Sequence, residues 1–181
     1  GAAQGALVAI PFLIVATVQH GTAASIVGAS VFAVTVLLLY GASTLYHAPP
    51  GPRVKAIFRK LDHGAIFLLI AGTYTPFTLG ALAGPWGWTL FGLVWGLAAV
   101  GIGLKACDRM AHPVASTGLY VAMGWLAVIA LPQLVERIPG AGLALLAAGG
   151  ISYTVGGAFF ATDSRVRYGH FVWHVCVLDG T

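Results

Sequence analysis

Three histidines in two separate parts of the sequence have the residue type and spacing of metal ligands. His170 and His174 are four residues apart, so on a helix both imidazole rings project from one face. His47 follows Ser43 at the same spacing, so on a helix the hydroxyl lies beside whatever that imidazole binds. Three imidazoles without a thiolate leave one position of tetrahedral Zn²⁺ open, which is typical of catalytic sites. The sequence therefore predicts a zinc site with His47, His170 and His174 as ligands.

One carboxylate could complete such a site. Asp62 would act as a general base toward the water on the metal, or orient that water. Ser43 would help to stabilise an oxyanion. Ordinary roles stay open for both residues. Asp62 would also suit the N-terminus of a helix, where the helix dipole favours a carboxylate, or pair with Arg59 or Lys60. Ser43 would also hydrogen-bond to the backbone of its own helix.

The other histidines and the two cysteines are not assigned to the site. His63 projects about 100° away from the preceding aspartate on an ideal helix. His20 is predicted at the opposite membrane face, and His112 in a loop. Cys107 lies in a charged segment and Cys176 in an apolar run, a distribution that indicates neither a disulfide framework nor a cysteine-rich zinc site.

The composition indicates that the elements positioning these residues lie in a membrane. The chain is 59% hydrophobic and 8% charged, with a mean hydropathy of +0.91. A soluble domain carries about 25% charged residues to cover its surface. The alternative, a soluble all-α domain with a very apolar core, would have too few charges to face water. The net charge of +4 does not come from a separate basic domain, so we predict no nucleic-acid partner. We interpret the positive charge as a signal of membrane topology.

Charges and turn-forming residues divide the chain into seven apolar segments, each a candidate for a transmembrane helix of about 20 residues. The predicted spans are about Ala2–Val18, Ala23–His47, Leu61–Leu79, Trp86–Leu104, Pro113–Leu134, Ala141–Ala161 and a seventh from Tyr168. Pro76 is expected to kink the third span. The seventh is still apolar at Leu178 but too short for a core of about 30 Å, so we expect it to be truncated. No linker divides the chain, which predicts one seven-helix domain over residues 1–181.

The basic residues predict the orientation of these spans. Eight of the nine lie on one side of the membrane, with only Arg137 opposite: Arg53, Lys55, Arg59, Lys60, Lys105, Arg109, Arg165 and Arg167. The positive-inside rule makes that side cytoplasmic, with the N-terminus inside and the C-terminus outside. This topology brings five polar residues to similar depths at the cytoplasmic ends of spans 2, 3 and 7: Ser43, His47, Asp62, His170 and His174.

The segments that carry these residues resemble the haemolysin III family. The resemblance rests on Ser43-Thr-Leu-Tyr-His47, on the stretch from Phe58 to Phe77, and on His170-Phe-Val-Trp-His174, in this order along nearly the whole chain. This family is the bacterial branch of the progestin and adiponectin receptor superfamily, and a similar motif set recurs in a wider group that includes alkaline ceramidases. The resemblance implies a seven-helix protein of the cell membrane with Zn²⁺ on the three histidines, Asp62 near the metal-bound water and Ser43 beside it.

Three functions follow as hypotheses. The first is a zinc-dependent hydrolase of lipid amides or esters, similar to ceramidases and active in membrane-lipid homeostasis, with membrane lipids as its partners. The second is a receptor or sensor in which the zinc is structural. The third is a haemolysin-type lytic protein, which the motifs do not support because no charged stripe follows any span. The open coordination position favours the first. The substrate and the oligomeric state stay open.

Overall fold

The computed structural model describes residues 10, 11, 13–19, 21–47, 51–109, 113–161, 172, 175 and 176, with the side chains of His47, Pro52, Arg53, Pro113, Phe160 and Ala161 outside that description. Every regular element in this part of the chain is helical. Five segments within it are long and apolar enough to cross a membrane. The protein is therefore an all-α membrane protein with several spans.

The helices follow most of the predicted spans closely. They are α1 (residues 13–19), α2 (Ala23–His47), α3 (Pro52–Pro76), a π-helical segment (Phe77–Ala81), α4 (Pro85–Ala106), α5 (Pro113–Gly124), a 3₁₀ segment (Trp125–Ala130), α6 (Leu131–Arg137) and α7 (Gly140–Ala161). The second predicted span coincides with α2, and the fourth and sixth differ from α4 and α7 by at most two residues. The seventh span lies outside the described residues except for positions 172, 175 and 176, which are helical.

The third helix begins well before the predicted span, at Pro52 rather than Leu61. Proline suits the first turn of a helix because its fixed φ is helical and the N–H that it lacks would have no partner there. The segment from Arg53 to Lys60, predicted as a loop, therefore forms the first turns of α3. Asp62 lies in the third turn, beyond the reach of the N-terminal dipole. The helix-end role that the sequence left open for Asp62 is wrong.

The helix changes its hydrogen-bonding pattern at Pro76, where the sequence predicts a kink. The α-helical pattern ends there and a five-residue π-helical segment follows. Pro76 has no N–H to donate to the preceding turn. Next to it, the buried hydroxyls of Thr75 and Thr78 donate to the carbonyls of Ala71 and Thr75, at 2.9 and 3.1 Å. Such side-chain bonds help to satisfy backbone groups in a membrane interior, where water is not available.

The fifth predicted span, Pro113–Leu134, is not one continuous α-helix. The six-residue 3₁₀ segment separates α5 from α6, and Pro132 lies in the first turn of α6. A proline inside a helix removes one hydrogen bond and collides with the carbonyl four residues earlier, which here interrupts the α-helical pattern. The sequence analysis did not predict this interruption. The stretch Val114–Arg137 nevertheless remains a candidate membrane span.

The chain divides into two compact units, Gly1–Arg109 and Met110–Thr181. In the first unit α3 contacts both α2 and α4. Gly72 of α3 allows α2 to come close, since a methyl group there would collide with Thr35, and Gly101 of α4 leaves room for the ring of Phe67 in the same way. Small residues at helix contacts permit such close approach in a membrane.

In the second unit α5 packs against α7, where Gly157 faces Thr117 and Val121. Large apolar side chains cover the surfaces of both units. Trp88 is 64% exposed and Leu145 is 75% exposed. Apolar exposure on this scale suits contact with lipid rather than with water.

Candidate metal and catalytic site

The face of α2 that packs in the first unit carries one of the predicted site residues. Its buried positions recur every three or four residues, the spacing of a single helix face: Ala29, Ala33, Val36, Tyr40 and Ser43. The next position of this series is residue 47. The backbone of His47 is still helical and ends α2. The helix thus aligns the backbone of the predicted zinc ligand with the face that includes Ser43.

Two close approaches define how α2 and α3 run past each other. Gly28 lies against Pro76, and Thr35 lies against Gly72. Because positions later in α2 meet positions earlier in α3, the two helices are antiparallel. The C-terminal end of α2 and the N-terminal part of α3 therefore lie at the same end of the first unit.

This register gives the relative depth of Ser43 and Asp62. Extrapolated from these two contacts along straight antiparallel helices, Ser43 on α2 is level with the stretch of α3 from Leu61 to Gly64. Asp62 lies within this stretch. Ser43 is buried, with 8% of its surface exposed, and Asp62 is half-buried. The fold therefore brings a buried hydroxyl and a half-buried carboxylate to similar depths.

An ion pair links the helices near this end of the unit. Lys60 Nζ lies 2.7 Å from Asp108 Oδ2 and 3.4 Å from the Ala106 carbonyl oxygen. Asp108 follows the end of α4 with φ at 56°, a conformation that aspartate tolerates better than most residues. The pair connects the start of α3 to the end of α4. Both side chains are well exposed, so the bond adds little stability.

The zinc ligands themselves stay a prediction. His170, His174 and the side chain of His47 lie outside the described residues. Among the side chains that the structure does describe, no three His, Cys, Asp or Glu groups come together as a metal site would require. Three imidazoles and one carboxylate remain a donor set that suits Zn²⁺ chemically.

Tyr40 is a residue of this face that the sequence analysis did not single out. Its side chain is buried, and its hydroxyl has no hydrogen-bond partner among the residues of the described ranges. The signal was present in the spacing, since Tyr40 precedes Ser43 by three residues and His47 by seven. Spacing shows the shared face of a helix, but it does not show that a hydroxyl is left without a partner.

One family of known proteins matches almost the full length of the chain. The sequence model of the Haemolysin-III related family matches residues 2–181. The chain belongs to this family. The resemblance predicted from the three motifs is thereby confirmed.

Two bacilli contain relatives of this haemolysin III-related protein. The chain is 46% identical to "Hemolysin-3" of Bacillus cereus over 180 aligned residues. This alignment covers 98% of the chain and 82% of the relative. The chain is 43% identical to the "Hemolysin-3 homolog" of Bacillus subtilis, with 98% and 84% covered. Human "Monocyte to macrophage differentiation factor", a member of the wider superfamily, is 26% identical over 156 residues, with 81% and 63% covered. No solved structure matches.

Proposed function

We propose that this haemolysin III-related membrane protein is a zinc-dependent hydrolase that cleaves lipid amides or esters, as a ceramidase does, and serves membrane-lipid homeostasis. The observation that supports the proposal is the antiparallel register of α2 and α3. It gives buried Ser43 and half-buried Asp62 similar depths, next to the helix end that carries His47. Ionisable groups within membrane helices are costly and usually functional.

The proposed topology has seven spans with a cytoplasmic N-terminus and an external C-terminus. Five candidate spans lie within the described ranges, and the helical residues 13–19 and 172, 175 and 176 would belong to two more. Four basic residues in the first turns of α3 would lie near the membrane surface in this topology and act as positive-inside signals, although they are not in a loop.

The chemistry divides between the metal and the side chains of this chain. His47, His170 and His174 would hold Zn²⁺, which when bound supplies Lewis acidity and lowers the pKa of water toward about 7. Asp62 would accept the proton that this water loses. Ser43 would donate a hydrogen bond to the oxyanion that develops on the carbonyl of the lipid amide or ester.

The substrate would come from the bilayer. The helices present mainly apolar side chains outward, such as Val34 at 54% and Leu38 at 49% exposed. Lipid can approach such a surface without desolvation of charged groups. The half-buried position of Asp62, close to the membrane surface, suits a lipid whose head group stays near the interface.

The experiment is metal analysis and lipid turnover with the purified full-length protein. We expect wild type to bind about one Zn²⁺ and to hydrolyse a long-chain ceramide. His174→Ala should lose the metal and the turnover while it keeps its helical content. His20→Ala is the matched control, because it removes an imidazole outside the proposed ligand set, and it should behave as wild type.

Two results would contradict the hydrolase. Stoichiometric zinc without turnover of any lipid, together with unfolding on chelation, would favour a structural metal and hence a receptor or sensor. Release of haemoglobin from erythrocytes by wild type and His174→Ala alike would favour a lytic function, which the name of the Bacillus cereus relative suggests for that protein.

A further inference from the structure

The hydroxyl of Tyr40 is buried in the first unit without a described partner. Tyr40 has 9% of its surface exposed, and its oxygen makes no hydrogen bond to any residue in the described part of the chain. An unpaired buried hydroxyl costs free energy, and phenylalanine would fill nearly the same volume without that cost. A tyrosine rather than a phenylalanine at this position therefore indicates that the hydroxyl has a hydrogen-bond partner.

The opposite helix offers no polar side chain at this level. Extrapolated from the contacts of Gly28 with Pro76 and of Thr35 with Gly72, Tyr40 on α2 is level with the stretch of α3 from Gly64 to Phe67. Residues 64–71 of α3 are all apolar, and several of them are fully buried. The backbone groups of that stretch are already occupied within the helix. The facing stretch of α3 is thus apolar, and the Tyr40 hydroxyl is a polar group packed against it.

The position of Tyr40 relates this hydroxyl to the proposed site. Tyr40 and Ser43 belong to the same series of buried positions on α2, about 4.5 Å apart along the axis. Side chains on a helix lean toward its N-terminus, which here leads away from His47 and into the membrane. The hydroxyl therefore lies on the membrane-interior side of Ser43.

We propose that the Tyr40 hydroxyl donates a hydrogen bond to an oxygen of the lipid bound at the site, next to the hydrocarbon chain that occupies the apolar surroundings. This proposal rests on the proposed function and makes its substrate more specific. The ligand is an acyl lipid with a carbonyl or hydroxyl oxygen close to the start of its chain, as lipid amides have, rather than a plain hydrocarbon. Tyr40 is then a binding residue and not a structural one.

The test compares Tyr40→Phe with Tyr46→Phe in the full-length, zinc-loaded protein in detergent micelles. Tyr46 is on the same helix, and its phenylalanine variant keeps the ring that lies 5.7 Å from Lys55 Nζ. Thermal unfolding is measured without lipid and then with increasing mole fractions of palmitoyl ceramide or of hexadecane. Hexadecane supplies a chain of similar length without oxygen. Turnover of ceramide is measured in parallel.

Without lipid, Tyr40→Phe should unfold at the same temperature as wild type or slightly higher. The ceramide mole fraction that gives half of the maximal stabilisation should rise about three- to tenfold, the loss expected for one hydrogen bond. The response to hexadecane should not change, and the ceramide response of Tyr46→Phe should match that of wild type.

Some outcomes would overturn the proposal, whereas one would support it and contradict only the hydrolase. A lower unfolding temperature of lipid-free Tyr40→Phe would show a structural partner for the hydroxyl. Equal ceramide response in Tyr40→Phe and wild type, or no ceramide response in wild type, would show that the hydroxyl does not bind this lipid. Ceramide binding that depends on Tyr40 but occurs without turnover would support the binding role and contradict the hydrolase. Turnover that Tyr40→Phe leaves intact, with unchanged binding, would contradict only the role of Tyr40.

Discussion

The two units differ in how much of their helices they bury. In the first unit, 56% of the apolar window within Val54–Ala81 is buried, and this segment, α3 with the π-helical turns after it, has α2 and α4 as neighbours. In the second unit, the corresponding shares are 28% for Val114–Arg137 and 11% for Gly140–Phe159 of α7, so only α4 of the first unit, at 28%, is buried as little as a span of the second. Membrane helices associate through packing and hydrogen bonds rather than through the hydrophobic effect. The first unit therefore contains the most deeply packed span, and it is the unit that holds Ser43 and Asp62.

A hydrogen bond from a tryptophan to a threonine occurs in both units, so the difference in burial between the units can be measured through it. In the first unit Trp95 Nε1 donates to Thr75 Oγ1 at 3.2 Å, and Thr75 is 1% exposed. In the second unit Trp125 Nε1 donates to Thr154 Oγ1, also at 3.2 Å, but Trp125 is 51% exposed. The chemistry and length are the same, so a difference in their contribution to stability reflects the surroundings.

The largest effect is expected where α2 and α3 are closest. Gly72→Ala places a methyl group against Thr35, so one helix must shift, and we expect a loss of about 3 kcal/mol of unfolding free energy. Gly96→Ala is the control, because a methyl group there meets nothing within 4 Å. It should be neutral or stabilise by up to about 1 kcal/mol. Denaturation in mixed micelles measures both, and equal effects would contradict the packing that we describe.

A smaller difference is expected between the two tryptophan–threonine bonds. Thr75→Val should cost about 1 kcal/mol, since it leaves the partly buried indole N–H of Trp95 without its buried acceptor. Thr154→Val should cost less than about 0.5 kcal/mol, because the partner indole is half exposed. The same denaturation experiment compares them. If Thr154→Val were the more destabilising variant, the contrast between the units would not hold.

The smallest effect is expected at the water-facing end of the first unit. Lys60→Met removes the ion pair with Asp108, whose side chains are 39% and 73% exposed. We expect a change within about 0.5 kcal/mol at low salt, and a smaller one at 1 M salt because of screening. A loss above about 2 kcal/mol at low salt that shrinks at 1 M salt would mean that charge contributes far more to the stability of this unit than we expect.

The sequence predicted the fold where hydropathy decides it. The bounds of α2 and α7 agree with the predicted spans because apolar runs end at clear turn formers or charges. The start of α3 was not found, because charged residues were read as a loop although they are good helix formers after Pro52. The 3₁₀ segment was not found because Pro132 lies inside an apolar run whose hydropathy does not change.

The features of the candidate site also divide into those that the sequence could predict and those that it could not. The similar depths of Ser43 and Asp62 could be expected from the topology, because they lie close to the turn between two consecutive spans. The proposed binding role of Tyr40 could not be expected from the sequence, since it depends on the absence of polar side chains on the facing helix. The family could be recognised from three short motifs in order, which the match over residues 2–181 confirms.

The 3₁₀ segment between α5 and α6 has a geometric consequence for the crossing that contains it. A 3₁₀ helix rises about 2.0 Å per residue rather than 1.5 Å, so six residues add about 3 Å to the crossing without lengthening the chain. Each residue also advances by about 120° instead of 100°. Leu131–Arg137 is therefore rotated by about a third of a turn from the orientation that an unbroken helix would give it. One proline thus adjusts both the reach of this span and the direction in which its last two turns point.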